Sequence, residues 1–162
     1  MNHPGPALPL HGGCQCEAIR YTVTCMPLAL YACHCTDCQR QSSSSFGLSM
    51  PVPLECFQLQ SGEPRLWQRT AESGRAVACA SCGQCGTRIF HAPERNPAIV
   101  NVKPGTLDDT SWLDPVAHLW LDSAQAWVTV PDGALRYPGQ PDDFAPILHA
   151  WAARYPEEDR TR

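Results

Sequence analysis

Apolar positions along the chain fall into short alternating runs rather than helical stripes. From Ala18 to Thr24 the pattern places Ile19, Tyr21 and Val23 on one side, the period-two mark of a half-buried strand. Further short strands read from Phe46 to Val52, Cys56 to Gln60, Leu66 to Thr70, Arg75 to Cys79 and Arg88 to His91. Three more read from Ile99 to Lys103, Val116 to Leu121 and Trp127 to Val130. Turn pairs punctuate them at Ser61-Gly62, Ser73-Gly74, Pro104-Gly105 and Asp132-Gly133. Many short strands with frequent turns predict a β-rich domain. The end differs. Tyr137-Pro138-Gly139-Gln140-Pro141 breaks the pattern, Asp142 or Asp143 can cap a helix, and Phe144, Leu148, Trp151 and Tyr155 recur at helical spacing. The expected organisation is a flexible N-terminal arm at 1–10, a β domain at 11–137 and a C-terminal extension at 138–162. The extension carries a short helix laid on the sheet.

Composition narrows this picture. A hydrophobic content of 43% over 162 residues fits one globular domain and excludes a disordered chain. Sixteen prolines oppose a helix-rich fold, because each breaks a helix interior or a central strand. No apolar run approaches the roughly 20 residues of a membrane span. Met1 to Leu10 lacks the basic region and apolar stretch of a signal peptide, so the expected location is cytoplasmic. The net charge of −4 argues against a nucleic-acid partner, and Arg65, Arg69 and Arg75 are scattered rather than a run.

The ten cysteines change the picture most. Seven fall into three groups: Cys14-Gln15-Cys16, Cys33-His34-Cys35-Thr36-Asp37-Cys38, and Cys82-Gly83-Gln84-Cys85-Gly86-Thr87. In a cytosolic chain such clusters are more often metal ligands or catalytic groups than disulfides. The third group reads as a zinc knuckle: two thiolates three residues apart on a tight turn, with glycine after the second supplying a left-handed backbone. A closed tetrahedral site needs four ligands, and Cys14 and Cys16 can supply the other two. Cys33, Cys35 and Cys38 give three ligands, the number with which catalytic zinc keeps a position open. Cys79 or His34 can close that site. Alternation along an extended Cys33-His34-Cys35 points His34 away, which favours the open form. Cys25, Cys56 and Cys79 read as small buried hydrophobes. His11, His91, His118 and His149 show no ligand spacing.

Together these residues resemble a known family. Gly12-Gly13-Cys14-Gln15-Cys16, Ile19-Arg20-Tyr21, the run from Cys33 through Cys38 to Gln39-Arg40, and Cys82-x-x-Cys85-Gly86-Thr87 look like the glutathione-dependent formaldehyde-activating enzymes, whose domain is shared with centromere protein V. Gly105-Thr106-Leu107-Asp108 and the stretch from His118 to Trp127 extend the likeness, which covers roughly residues 11 to 130. The chain departs at Glu17, where the family often has glycine, and at Ser42-Ser43-Ser44-Ser45, where it often has a loop glycine. The resemblance implies an Mss4-like β fold of short antiparallel strands built around zinc sites. It implies two zinc ions per chain, one structural at Cys14, Cys16, Cys82 and Cys85, and one exchangeable at Cys33, Cys35 and Cys38. The implied activity is that of a carbon–sulfur lyase joining a small-molecule thiol, glutathione, to an aldehyde, formaldehyde. In such chemistry Cys33, Cys35 and Cys38 present the reactive metal, His34 or Asp37 moves the proton, and Arg40 can meet a substrate carboxylate. The rival reading is a zinc-stabilised module that recognises a protein partner without chemistry. A fourth protein ligand at the second cluster favours that rival.

Overall fold

The computed structural model describes residues 5–71 and 74–156. In chain order these form β1 (Leu10–Gly13), β2 (Arg20–Val23), β3 (Tyr31–Cys33), α1 (Thr36–Ser42), β4 (Gly47–Pro53), β5 (Phe57–Ser61) and β6 (Arg65–Thr70). There follow β7 (Ala76–Ser81), β8 (Arg88–Pro93), β9 (Ile99–Val102), β10 (Ala117–Leu119), β11 (Leu135–Arg136) and α2 (Ala145–Arg154). The alternating face read from Ile19, Tyr21 and Val23 is real: all three are buried. β2 lies between β1 and β5 in a three-stranded antiparallel sheet. The second sheet has eight strands in the order β11-β10-β3-β4-β9-β8-β7-β6. Its pairings are antiparallel except where β10 runs parallel to both β3 and β11. The core gathers the inner faces of both sheets with Ile89, Leu107, Trp112 and Val116.

α2 closes this core. Ile147 and Trp151 are fully buried and Tyr155 nearly so. The Trp151 indole N–H donates to the Pro27 carbonyl at 2.7 Å, and Arg154 pairs with Asp114 at 2.7 Å. Ile147 takes the inward place expected of Leu148, which is exposed, because the helix starts at Ala145 and spaces its buried face as 147 and 151. Asp143 does serve the helix start, its carboxylate accepting from the Ala145 N–H at 2.8 Å.

Several expectations are corrected. Trp127–Val130 forms no strand: Trp127 is exposed and its N–H turns to the Gln125 side chain. β1, β3, β11 and α1 appear where no element was expected. Of the arm at 1–10, the described part is anchored. Pro6 is buried, Leu8 packs on the core and Leu10 opens β1. Residues 1–4, and Ser73 of one expected turn, lie outside the described residues. Cys25 and Cys56 are not isolated apolar fillers; they form a disulfide. Pairing of Val23 with Phe57, continued by the Thr24 N–H on the Cys56 carbonyl, carries the two cysteines to facing positions with Cα atoms 5.7 Å apart. Among the described residues, no helix is long and apolar enough to cross a membrane.

Candidate metal centres

The two cysteine pairs that are far apart in sequence meet. Cys14 and Cys16 follow β1, and Cys82 and Cys85 lie between β7 and β8. All four sulfurs lie within 4.8 Å of one another. Cys14 Sγ is 3.5 Å from Cys16 Sγ, which is 3.7 Å from Cys82 Sγ. Four sulfurs set about 2.3 Å from a zinc ion form a tetrahedron with edges of about 3.8 Å, so the set has the spacing and the soft donors that zinc takes. Backbone amides aim at the sulfurs: Ile19 N–H at Cys14 (3.2 Å) and Gln84 N–H at Cys82 (3.4 Å). The Thr87 hydroxyl lies 3.2 Å from Cys85 and, with its amide, pulls that thiol down to about 5. Such donors stabilise thiolate charge.

The turns that present these sulfurs need left-handed residues. Gly86 sits at φ 75° after Cys85, as its position in the knuckle predicts. After Cys16 the equivalent place is held by Glu17 at φ 63°. Ser43, within the serine run, caps α1 at φ 51°. Both departures from the family pattern therefore stand where the backbone is left-handed. Glu17→Gly is expected to stabilise the fold by about 1 kcal/mol, because a side chain with a Cβ is strained there. Denaturant unfolding measures it; a variant less stable than the parent contradicts the strain argument.

The second cluster is local. Cys33 ends β3, Cys35 is the N-cap of α1 and Cys38 lies in its first turn. Their sulfurs also lie within 4.8 Å of one another. Cys33 and Cys38 are buried and Cys35 is partly exposed. The Cys38 N–H donates to Cys35 Sγ at 3.4 Å, so sulfur replaces the usual capping oxygen. Contacts with the Cys33 and Cys38 thiols, then that N–H and Arg69, drive Cys35 far below the ordinary thiol range. Cys33 is pushed up by the same sharing of protons. The surroundings of Cys35 favour its thiolate, the form in which all three cysteines could hold a metal ion. Gly47, paired with Cys33, leaves the room this needs: a Cβ there stands 3.3 Å from the Cys38 Cβ.

Neither proposed fourth ligand joins the group among the described residues. His34 is wholly buried and turned from the sulfurs, its Nε2 2.9 Å from Nδ1 of His118. Burial lowers both rings, His118 to about 4, so the pair is neutral and one ring N–H serves both. Cys79 is buried on β7 and is approached by the Gln41 amide at 3.5 Å. Gln39 ties the knuckle to the chain further on, donating to the His34 carbonyl at 2.6 Å and the Ser123 carbonyl at 2.9 Å.

Two clefts flank α1. One, of about 430 Å³, is lined by Asp37, Arg40, Gln41, Trp67 and Arg69. The other, of about 540 Å³, runs between Arg40, the serine run and Trp127. Asp37 is half-exposed on the first and accepts from Arg69 at 2.8 Å. Arg40 stands between both. Sequence reasoning missed Arg69, His118, Arg88 and Lys103 around this centre, since β6, β8, β9 and β10 bring them from afar. A cue existed for Lys103: it is the only lysine of the chain and follows the buried strand Ile99–Val102.

The crystal structure of a Rhodobacter sphaeroides protein shares the fold, with a TM-score of 0.51 and 21% identity over 65% of this chain and 91% of that one. The sequence model of one family matches residues 9–123, which hold both clusters and every cysteine assigned to them. With that match the chain belongs to the glutathione-dependent formaldehyde-activating enzyme family.

Proposed function

We propose that the chain binds two zinc ions, a structural one at Cys14, Cys16, Cys82 and Cys85 and an exchangeable one at Cys33, Cys35 and Cys38. The second is the centre of a carbon–sulfur lyase-type enzyme that joins a thiol such as glutathione to an aldehyde such as formaldehyde. The observation that carries this reading is the unequal make-up of the clusters. The first has four sulfurs, whereas the second has three, with His34 and Cys79 both engaged elsewhere. Four ligands close a structural site, and three leave a place for a substrate atom. Family membership supports a thiol and an aldehyde as the reacting pair.

Cys33, Cys35 and Cys38 would hold the zinc ion, which would supply the Lewis acidity that keeps a thiol in the fourth place as thiolate near neutral pH. The chain's own residues set the rest. The thiolate sulfur forms a bond to the carbonyl carbon as the C=O π bond opens onto oxygen, and that oxygen takes up from solvent a proton equal to the one the thiol released. Asp37 is the group placed to move it: it borders Cys38, faces the cleft and is held by Arg69. His34 has no exposed surface, so its part is to fix the knuckle through His118. Arg40, on the rim of both clefts, can pair with a substrate carboxylate.

The test is formation of the S-hydroxymethyl thiol followed by proton NMR against the spontaneous reaction. Asp37→Asn is expected to slow the catalysed rate by roughly 10²-fold, with thiol binding kept. A rate equal to the spontaneous one in fully metal-loaded parent protein contradicts the enzyme reading.

A further inference from the structure

Lys103 is the only lysine among 12 basic residues, and it is buried. It follows β9 and reaches across β4, donating to the Ser49 hydroxyl at 3.1 Å and the Leu48 carbonyl at 3.4 Å. Leu48 adjoins Gly47, which pairs with Cys33 and packs against Cys38. The ammonium therefore lies beside the second cluster, and Cys38, Cys33 and Cys79 all act on its charge. Arg88, at the start of β8, is half-buried, and its Nε has no acceptor. Cys79 and Cys38 act on Arg88 as well.

Among the described residues neither cation pairs with a carboxylate. The three ion pairs among the described residues join Arg20 with Asp108, Arg69 with Asp37 and Arg154 with Asp114. Lys103 and Arg88 also repel one another, and the neighbouring His91 is kept neutral by burial and by these charges. A buried ammonium beside a half-buried guanidinium, with no anion against either among the described residues, is costly. Something must balance them, and the sulfurs near them are Cys33 and Cys38 of the cluster, with Cys79, for Lys103, and Cys79 and Cys38 for Arg88.

The charge count is informative. Zinc with three thiolates carries one net negative charge, and a fourth thiolate makes two. Lys103 and Arg88 supply two positive charges. With a thiolate in the fourth place the centre is neutral; with a neutral donor it keeps an uncancelled positive charge in low dielectric.

We propose that Lys103 and Arg88 are the buried counter-cations of the Cys33, Cys35 and Cys38 site and select an anionic fourth ligand, a thiolate, over a neutral one. They are positioning residues that act through charge rather than contact with substrate. This rests on the reading of the second cluster as an open zinc site. When a thiol binds, its proton leaves to solvent and the sulfur enters as the anion.

The test uses the full chain with cobalt(II) in place of zinc, whose visible spectrum reports a change of fourth ligand. The probes are 2-mercaptoethanol, which binds as an anion and has no carboxylate to confuse the result, and imidazole, which binds neutral. Metal content is measured first. Fewer than two ions per chain in the parent overturns the open-site reading, and this proposal with it. With two ions present, Lys103→Met is expected to weaken 2-mercaptoethanol binding 10- to 100-fold, the range typical of partners one shell beyond the ligands. Imidazole binding should change less than about twofold, because its entry adds no charge. Lys103→Arg should restore the preference, and Arg88→Gln should lose it in the same direction. Equal losses for both probes, or none for 2-mercaptoethanol, overturn the counter-cation role while leaving the open site standing. Arg88→Gln supplies the same decision if Lys103→Met does not fold.

Discussion

Cys35→Ser is expected to empty the second metal site and return carbon–sulfur bond formation to the spontaneous rate, with the fold intact. Cys35 is the partly exposed member of the trio, so its loss leaves no core cavity. It is also the N-cap of α1, and serine is among the best N-cap residues. The hydroxyl can accept the Cys38 N–H that the sulfur now receives. It is a far poorer zinc ligand, and two thiolates cannot hold the ion alone. Metal analysis should therefore fall from two ions per chain to one while the thermal midpoint moves by only a few degrees. A variant with two ions and full activity contradicts the assignment.

Cys82→Ser should act in the opposite way. Cys82 is buried in the main core, 3% exposed, and belongs to the cluster that fastens β1 to the β7–β8 connection. Serine there places a hydroxyl among three sulfurs and removes a ligand from a closed site. A structural zinc supplies folding free energy directly, about 10 kcal/mol or more in small zinc domains. Loss of several kcal/mol is expected here, enough to unfold a domain of ordinary stability. Heating the variant beside the parent with and without a strong chelator measures it. The parent with chelator should melt like the variant. A variant as stable as the parent contradicts a structural role for this cluster.

The two predictions separate because the clusters are built differently, and that difference was visible in the chain. Spacing of Cys14-x-Cys16, Cys82-x-x-Cys85 and Cys33-x-Cys35-x-x-Cys38 identified both groups, because turn geometry fixes where neighbouring sulfurs point. The Arg20–Val23 strand, with its alternation through Tyr21 and Val23, was legible for the same local reason. The elements that escaped lack a local signal. β3 has three residues and takes its place from β4, the next strand, and from β10, which is distant in sequence and parallel. α1 buries only Cys38, shows no apolar stripe and is capped by sulfur instead of an oxygen. Trp127–Val130 carries strand-forming residues but finds no neighbouring edge, so tertiary context overrides propensity. The Cys25–Cys56 bridge depends on pairing of β2 with β5, which no spacing rule reveals. Lys103 and Arg88 reach the second cluster through the order of strands in the large sheet.

The central claim is that the second cluster receives a thiol. The most direct measurement is calorimetric titration of glutathione into full-length protein carrying two zinc ions per chain, beside a Cys38→Ser variant carrying one. Saturable heat in the parent, absent from the variant, is the predicted result. No heat from the parent with both zinc ions in place contradicts it.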